Sequence, residues 1–272
     1  MNTDSILKKT INFYKKDVLQ ELEAMDIKKV IIDQRINDSN KQALVLALTD
    51  STGEYTTELA QYYLLEGEDT KGVSKIEQGL YWIYYYILNM KLDNIVFRSD
   101  NLGFVIGLSW LFDKEDMLEK SILKLEEYWK LTNNFQISHN SFLYLLYKKQ
   151  YSNILSHFVD QDSIYLKLIE SIDKPNDYIV NLINEACDYH LTYTRFMGSK
   201  VNKFEFTWLP LYPYEIYVYL KEREKLGFMI PKMDHKLMNT LVAKADFKLS
   251  QYDIEKDSLL NLILNKLCYP RK

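Results

Sequence analysis

The chain has 272 residues, a formal net charge of −4, 47% hydrophobic residues and 26% charged residues. A chain of this length and balance can bury a sizeable core, which excludes an intrinsically disordered protein. Two cysteines are too few for a disulfide framework or a structural zinc site. Only eight glycines and five prolines occur, and this scarcity of helix breakers favours long helices over a turn-rich β fold.

Hydrophobic periodicity and capping residues predict helices nearly throughout the chain. Residues 27–36 are the exception, because their β-branched side chains fit either a short strand or a helix. About a dozen helices with short connections predict an all-α fold, an irregular stack of antiparallel helical hairpins that is loosely tetratricopeptide-like. In chain order, the predicted helices span residues 4–24, 41–48, 54–65, 73–92, 102–112, a segment after an Asp113 cap that includes Trp129, then 142–149, 162–172, 175–196, 213–226 and, after an Asp253 cap, 254–267.

No targeting or membrane-spanning segment is predicted. The first residues carry Asp4 and four lysines, where a signal peptide would need an apolar run. The longest uncharged apolar stretches, residues 80–90 and 102–112, are about half the roughly 20 residues that a membrane span needs. We therefore expect a cytoplasmic protein with no membrane partner.

Charge and proline content both change near residue 173. Residues 1–173 contain 19 Lys/Arg and 26 Asp/Glu, whereas residues 174–272 contain 15 and 12. The first proline of the chain is Pro175. We therefore predict two helical subdomains, 1–173 and 174–272, joined at residues 171–176 within one continuous globular unit. The acidic N-terminal part disfavours nucleic acid as a direct partner, because phosphates would be repelled, and it suits a basic protein partner.

The sequence carries no catalytic or metal-binding motif. It has no glycine-rich phosphate-binding loop and no G-x-S-x-G nucleophile motif. Cys187 and His190 lie three residues apart on one predicted helix face, but two potential ligands do not make a metal site. His190 also continues the apolar stripe of Ile179, Ile183 and Ala186, which favours a hydrogen-bonded structural histidine. We predict no enzymatic activity, no cofactor and no bound metal.

Residues 190–239 form the most distinctive segment and hold three of the five prolines. Elementary chemistry favours structural roles here: Glu215 suits the positive N-terminus of a helix, and Arg223 can bridge helices through its planar fork. Gly227 predicts a helix stop, and Asp234 can cap a short turn. The residues of this pattern are His190, Arg195, Pro210, Pro213, Tyr214, Glu215, Arg223, Gly227, Asp234 and His235.

The same segment resembles the C-terminal half of immunity protein family 49. Members of that family are all-helical cytoplasmic proteins of bacterial polymorphic toxin systems and are similar in length to this chain. The resemblance implies a protein that neutralises a cognate toxin by covering its active site, and it carries over no catalytic residue. A related helical immunity family usually has a Gly-Tyr-Trp element before a similar turn, where this chain has Phe196-Met197-Gly198. The matching run reads His190-x4-Arg195, Leu209-Pro210-x-Tyr212-Pro213-Tyr214-Glu215-Ile216, Arg223-Glu224-x-x-Gly227 and Pro231-x-x-Asp234-His235-x-Leu237-x-Asn239.

Acidic and aromatic residues predict where a partner would bind. A few tyrosine or tryptophan anchors inside an acidic rim would steer a basic toxin, such as a nuclease, into a tight complex. The alternative function is a helical scaffold or adaptor that binds a non-toxin protein or peptide, and an enzyme ranks third. The candidate partner-binding residues are Glu54, Tyr55, Glu58, Tyr62, Tyr63, Glu66, Asp69, Asp113, Glu115 and Asp116.

Overall fold

The computed structural model describes residues 3–23, 41–92, 100–132, 138–149, 163–194 and 208–268. All regular structure within these ranges is helical, which confirms the predicted all-α class. The segment 27–36 lies outside them. The α-helices are α1 (Thr3–Glu23), α2 (Lys41–Leu46), α3 (Glu54–Leu65), α4 (Asp69–Asn89), α5 (Asp100–Leu111), α6 (Glu115–Thr132), α7 (Ser138–Tyr147), α8 (Ile164–Glu170), α9 (Asn176–Thr192), α10 (Tyr214–Lys225) and α11 (Ser258–Cys268); a π-helical segment, Ala47–Gly53, precedes α3, and 3-10 turns at Phe247–Leu249 and Ile254–Lys256 precede α11.

The chain divides into two compact units, and neither is a predicted subdomain. The first unit comprises Met1–Thr10 and Arg98–Lys244, and the second comprises Ile11–Phe97 and Ala245–Lys272. The predicted joint at residues 171–176 lies inside the first unit, where α8 and α9 pack against each other on its two sides. The division therefore runs elsewhere than at residue 173, and Pro175 marks a tight connection between two packed helices.

Helix α5 forms the centre of the first unit, because residues 102–108 along it are apolar on every side. Residues 100–110 are all buried, and α5 packs against α6, α7 and α10. Two glycines make this close packing possible. A Cβ at Gly103 would meet the His139 ring at 2.0 Å, and a Cβ at Gly107 would meet the Tyr214 ring at 2.4 Å. The aromatic rings therefore occupy the space that side chains on α5 would otherwise fill.

The end of α10 follows the predicted chemistry. Gly227 takes a φ of +90°, in the left-handed region that favours glycine. The Gly227 N–H donates to the Glu224 carbonyl at 2.9 Å, and the Phe228 N–H donates to the Arg223 carbonyl at 3.1 Å. These two bonds are the pair that closes a Schellman motif. The predicted stop at Gly227 is confirmed.

Two predicted caps of the first unit are wrong. Asp113 follows α5 with a φ of +54°, and α6 begins only at Glu115, so Asp113 is not the N-cap of that helix. Its carboxylate instead accepts a hydrogen bond from Lys221 Nζ at 2.6 Å. Asp234 is exposed, and in the turn that follows it the Leu237 N–H donates to His235 Nδ1 at 3.2 Å. Asp113 is held by a long-range contact with Lys221, whereas at the second position the His235 side chain, not Asp234, accepts from the N–H of the turn.

The second unit is built on the hairpin of α3 and α4. Gly67 turns the chain between them with a φ of +79°. A Cβ at Gly72 would lie 2.5 Å from Leu64 Cγ, so the two helices approach closely only because this residue is glycine. The π-helical segment also packs on α4, and α2 packs on α11.

Asp257 connects α4 to the start of α11. Its Oδ2 accepts hydrogen bonds from Gln78 Nε2 at 3.0 Å, Trp82 Nε1 at 2.9 Å and the Tyr252 hydroxyl at 2.9 Å. Its Oδ1 accepts from the Leu260 N–H at 3.0 Å, which caps α11. The predicted cap, Asp253, serves only the short 3-10 turn, where it accepts from the Glu255 N–H. The long C-terminal helix therefore starts later than predicted.

Among the helices in the described ranges, none combines the length and the apolar character that crossing a bilayer requires.

Candidate functional site

The pattern of residues 190–239 forms a buried polar network between α8, α9 and α10. His190 and Glu215 are both completely buried, and His190 Nδ1 lies 3.0 Å from Glu215 Oε1. The Tyr165 hydroxyl donates to the same carboxylate oxygen at 3.2 Å. The prediction of a core-facing, hydrogen-bonded His190 is confirmed. Glu215 lies in the first turn of α10, as predicted, and also binds groups on two other helices.

Arg223 joins the end of α8 to the start of α9 through its planar guanidinium group, which is 1% exposed. The carbonyl oxygens left over at a helix end carry partial negative charge, so they are suitable acceptors for a buried cation. The Phe228 ring covers one face of the guanidinium at 4.4 Å. The predicted bridging role is confirmed. The acceptors are Ser171 O at 3.3 Å, Ile172 O at 2.5 Å, Lys174 O at 2.8 Å and Asn176 Oδ1 at 3.1 Å.

The remaining pattern residues also have structural positions. Pro210, Pro213 and Tyr214 are buried in front of and at the start of α10. His235 Nε2 lies 3.2 Å from Asp188 Oδ1 on α9. Arg195 lies outside the described residues. Among the described residues of the pattern, His190, Glu215 and Arg223 are buried and hold three helices together.

Cys187 is buried beside this network, and its surroundings keep the thiol protonated. Burial raises its pKa well above the ordinary value, and the negative charges of Glu215 and Asp188 raise it further. A protonated thiol is a poor nucleophile and a poor metal ligand. Within the described ranges no group of three or more histidine, cysteine or acidic side chains is placed to hold a metal ion.

The predicted partner-binding residues of the second unit separate into two groups. Tyr55 is 4% exposed and Glu58 is 5% exposed, so neither can form part of a docking surface. These two assignments are wrong because α3 is covered on nearly every side. The mixed polarity of its sequence does not predict that burial. The residues that do reach the surface are half-buried Glu54, Tyr62 and Tyr63 and exposed Glu66 and Asp69.

The predicted residues of the first unit all reach the surface. Asp113, Glu115 and Asp116 are exposed around the start of α6. Two of them line a cleft of about 360 Å³ that α5, α6, α7 and α10 enclose. Sequence reasoning missed most of its lining, because the residues come from four helices that are distant along the chain. The lining residues are Ser109, Trp110, Asp113, Lys114, Glu115, Leu118, Glu119, Leu146, Tyr147, Lys149, Glu222 and Lys225.

Aromatic rings and a buried carboxylate give the cleft its chemistry. The Trp110 and Tyr147 rings meet edge to face with centroids 6.0 Å apart. The Glu222 side chain is 4% exposed, and its Oε1 accepts a hydrogen bond from Lys225 Nζ at 2.5 Å. The same ammonium group lies 5.6 Å from the centre of the Trp110 ring. A cation therefore occupies the space between an aromatic face and a desolvated carboxylate.

Two further lysines fix the edges of this cleft. Lys221 Nζ donates to the Trp110 carbonyl at 2.9 Å as well as to Asp113. Lys148 Nζ lies 5.7 Å from the centre of the Tyr147 ring and 3.0 Å from Glu126 Oε1 on α6. These contacts hold the loop after α5 and the end of α7 in place, so the cleft is formed in the free protein.

Comparison of this chain with protein-family models, with curated proteins and with solved structures finds no match.

Proposed function

We propose that this chain is an immunity protein that binds a cognate bacterial toxin in the cytoplasm and neutralises it by covering the toxin's active site. The pattern of residues 190–239 carries the proposal. His190, Glu215 and Arg223 are separated along the pattern yet are all buried between the same helices. These structural roles support the proposal, because the resemblance to immunity protein family 49 rests on the same segment.

The surface at the start of α6 supports binding of a basic partner. Asp113, Glu115, Asp116 and Glu119 are all exposed there, next to the aromatic wall of the cleft. Exposed carboxylates attract a basic protein over a distance and raise the association rate, while a neighbouring aromatic group supplies contact energy. This is the surface of the first unit that we propose contacts the toxin.

A second candidate function rests on the same cleft. A peptide-binding adaptor also needs a preformed cleft with aromatic walls and a few charged groups. The cleft is at the small end of the roughly 300–1,000 Å³ that ligand pockets span, which suits one or two side chains of a bound segment.

Affinity capture of the tagged chain from its native cells, followed by mass spectrometry, tests the proposed function. We expect a stoichiometric partner that kills cells when it is produced alone. A non-toxic housekeeping protein or peptide would favour the adaptor function instead.

Two charge-reversal variants test which surface binds. Glu115→Lys with Glu119→Lys changes the first unit, and Glu66→Lys with Asp69→Lys is the matched control in the second unit. We expect the first pair to reduce capture at least about tenfold, because the steering charges become repulsive. The control pair leaves capture unchanged. The reverse result would move the binding surface to the second unit.

A further inference from the structure

Ser109 is a buried polar residue that lines the cleft. Its side chain is 0% exposed and lines the cleft, and its Oγ has no hydrogen-bond partner among the described residues. A hydroxyl is both a donor and an acceptor, and leaving it unpaired costs free energy. A ligand that displaces the groups covering Ser109 and donates a hydrogen bond to its Oγ would recover that loss.

Glu222 and Trp110 define what kind of ligand group fits. The Glu222 carboxylate is almost completely buried, so it needs a positive charge close to it. The Trp110 ring presents its face to the same cation. At present that cation is Lys225, whose side chain is 56% exposed and comes from the same helix only three residues further along. A flexible, solvated ammonium group is easily displaced.

A guanidinium group satisfies this cleft better than an ammonium group does. It is planar, so it can stack on Trp110, and it has five N–H donors in a fixed arrangement. Two of them can bind both oxygens of a carboxylate such as that of Glu222, and the others remain for further acceptors in the cleft. Lys225 supplies one compact charge to one carboxylate oxygen. The other charged residues of the lining are Glu115, Glu119, Lys114 and Lys149, together with Asp113, which is bound to Lys221.

We propose that the cleft binds an arginine side chain of the partner protein, which displaces Lys225 from Glu222 and from the face of Trp110. Lys225 acts as a built-in competitor that keeps the site neutral in the free protein. The identity of the arginine's carrier rests on the proposed function. The chemistry of the cleft is independent of it.

Titration of the full chain with N-acetyl-arginine methylamide tests the inference. The indole N–H signal of Trp110 in a two-dimensional NMR spectrum reports binding, and a Trp110→Phe variant assigns the signal. We expect a saturable shift. N-acetyl-citrulline methylamide has nearly the same shape without the charge, and we expect it to bind at least about tenfold more weakly. Equal binding of the two compounds, or no shift of the Trp110 signal, overturns the inference.

Substitutions distinguish the competing role of Lys225 from the binding roles of Ser109 and Glu222. Lys225→Met keeps the apolar stem and removes the competing charge, so we expect tighter arginine binding. Ser109→Ala and Glu222→Gln remove an acceptor and the charge, and we expect weaker binding. Lys248→Met, an exposed lysine of the second unit, is the matched control and leaves binding unchanged. Weaker arginine binding by Lys225→Met contradicts the displacement.

The inference and the proposed function can fail separately. If a toxic partner is captured but the cleft does not bind arginine, the inference is overturned and the proposed immunity function stands. A cleft that selects arginine in a chain whose partner is harmless overturns immunity and leaves the cleft in place.

Discussion

At the scale of single residues, buried charge explains the pattern of residues 190–239. Glu215 and Arg223 are both on α10, and each binds groups from helices that precede it by tens of residues. The sequence predicted that Glu215 lies near the N-terminus of a helix and that Arg223 bridges helices. Their partners were not predictable, because backbone carbonyls at Ser171 and Ile172 leave no signal in the sequence.

Replacing Arg223 with lysine should destabilise the fold. Lysine lacks the planar guanidinium group and cannot reach all four acceptors. Some of the carbonyl oxygens that follow α8 would therefore lose their hydrogen-bond donors. We expect a loss of about 3 kcal/mol in the free energy of unfolding, measured by urea denaturation. The control is Lys232→Ala, an exposed lysine of the same unit. A change for Arg223→Lys as small as that of the control would show that the bridge contributes nothing.

Tyr219 makes stability depend on pH in the alkaline range. Burial raises the pKa of its phenol from the ordinary 10.0 to about 12, although Arg223 acts in the opposite direction. The folded chain keeps this proton at a pH where the unfolded chain has lost it. Its contribution is therefore complete below pH 10.0 and declines as the pH rises through about 12.

We expect Tyr219→Phe to remove this decline. The difference in unfolding free energy between wild type and variant should be constant between pH 8 and 9 and should shrink between about pH 10 and 11.5. Urea denaturation at each pH measures it. A difference that stays the same across the whole range would contradict the raised pKa.

At the scale of elements, local signals located the helices and long-range packing set their details. Helix α3 has the predicted bounds, 54–65, and the stop at Gly227 was predicted from glycine alone. The burial of Tyr55 and Glu58 was not, because it depends on which neighbours cover α3. Asp113 likewise does not cap a helix as predicted, because its carboxylate accepts a hydrogen bond from Lys221, more than a hundred residues away.

Gly107→Ala tests the contact between α5 and α10. In an exposed helix this substitution stabilises by up to about 1 kcal/mol, because alanine has the higher helix propensity. Here the new methyl group would lie 2.4 Å from the Tyr214 ring, so we expect destabilisation by about 1–3 kcal/mol. The sign of the change in urea denaturation is therefore decisive. Stabilisation would contradict the close contact between the two helices.

In the second unit, substitution of Asp257 can be compared with substitution of Asp253 as its control. Asp257→Ala removes a helix cap and leaves Gln78, Trp82 and Tyr252 without their shared acceptor. We expect a loss of about 2–4 kcal/mol in the free energy of unfolding. Asp253→Ala removes only the cap of a short 3-10 turn and should cost less than about 1 kcal/mol. Equal losses would contradict the role of Asp257 in joining α4 to α11.

At the scale of the whole molecule, the discontinuous course of the chain explains why the domain prediction and the structure differ. Residues 1–10 belong to the first unit and residues 11–97 to the second, and the chain then returns to each in turn. Differences in composition between the two halves of a sequence detect only contiguous domains. The cleft could not be predicted from the sequence either, because its lining residues lie on α5, α6, α7 and α10, between positions 109 and 225.

We propose that this chain protects cells from a toxin that it binds directly. The most direct measurement is the growth of cells that produce the captured partner, with and without this chain, alongside the Glu115→Lys, Glu119→Lys variant. We predict arrested growth with the partner alone, normal growth when the wild-type chain is present, and partial arrest with the variant. Growth that does not depend on this chain would contradict protection by direct binding.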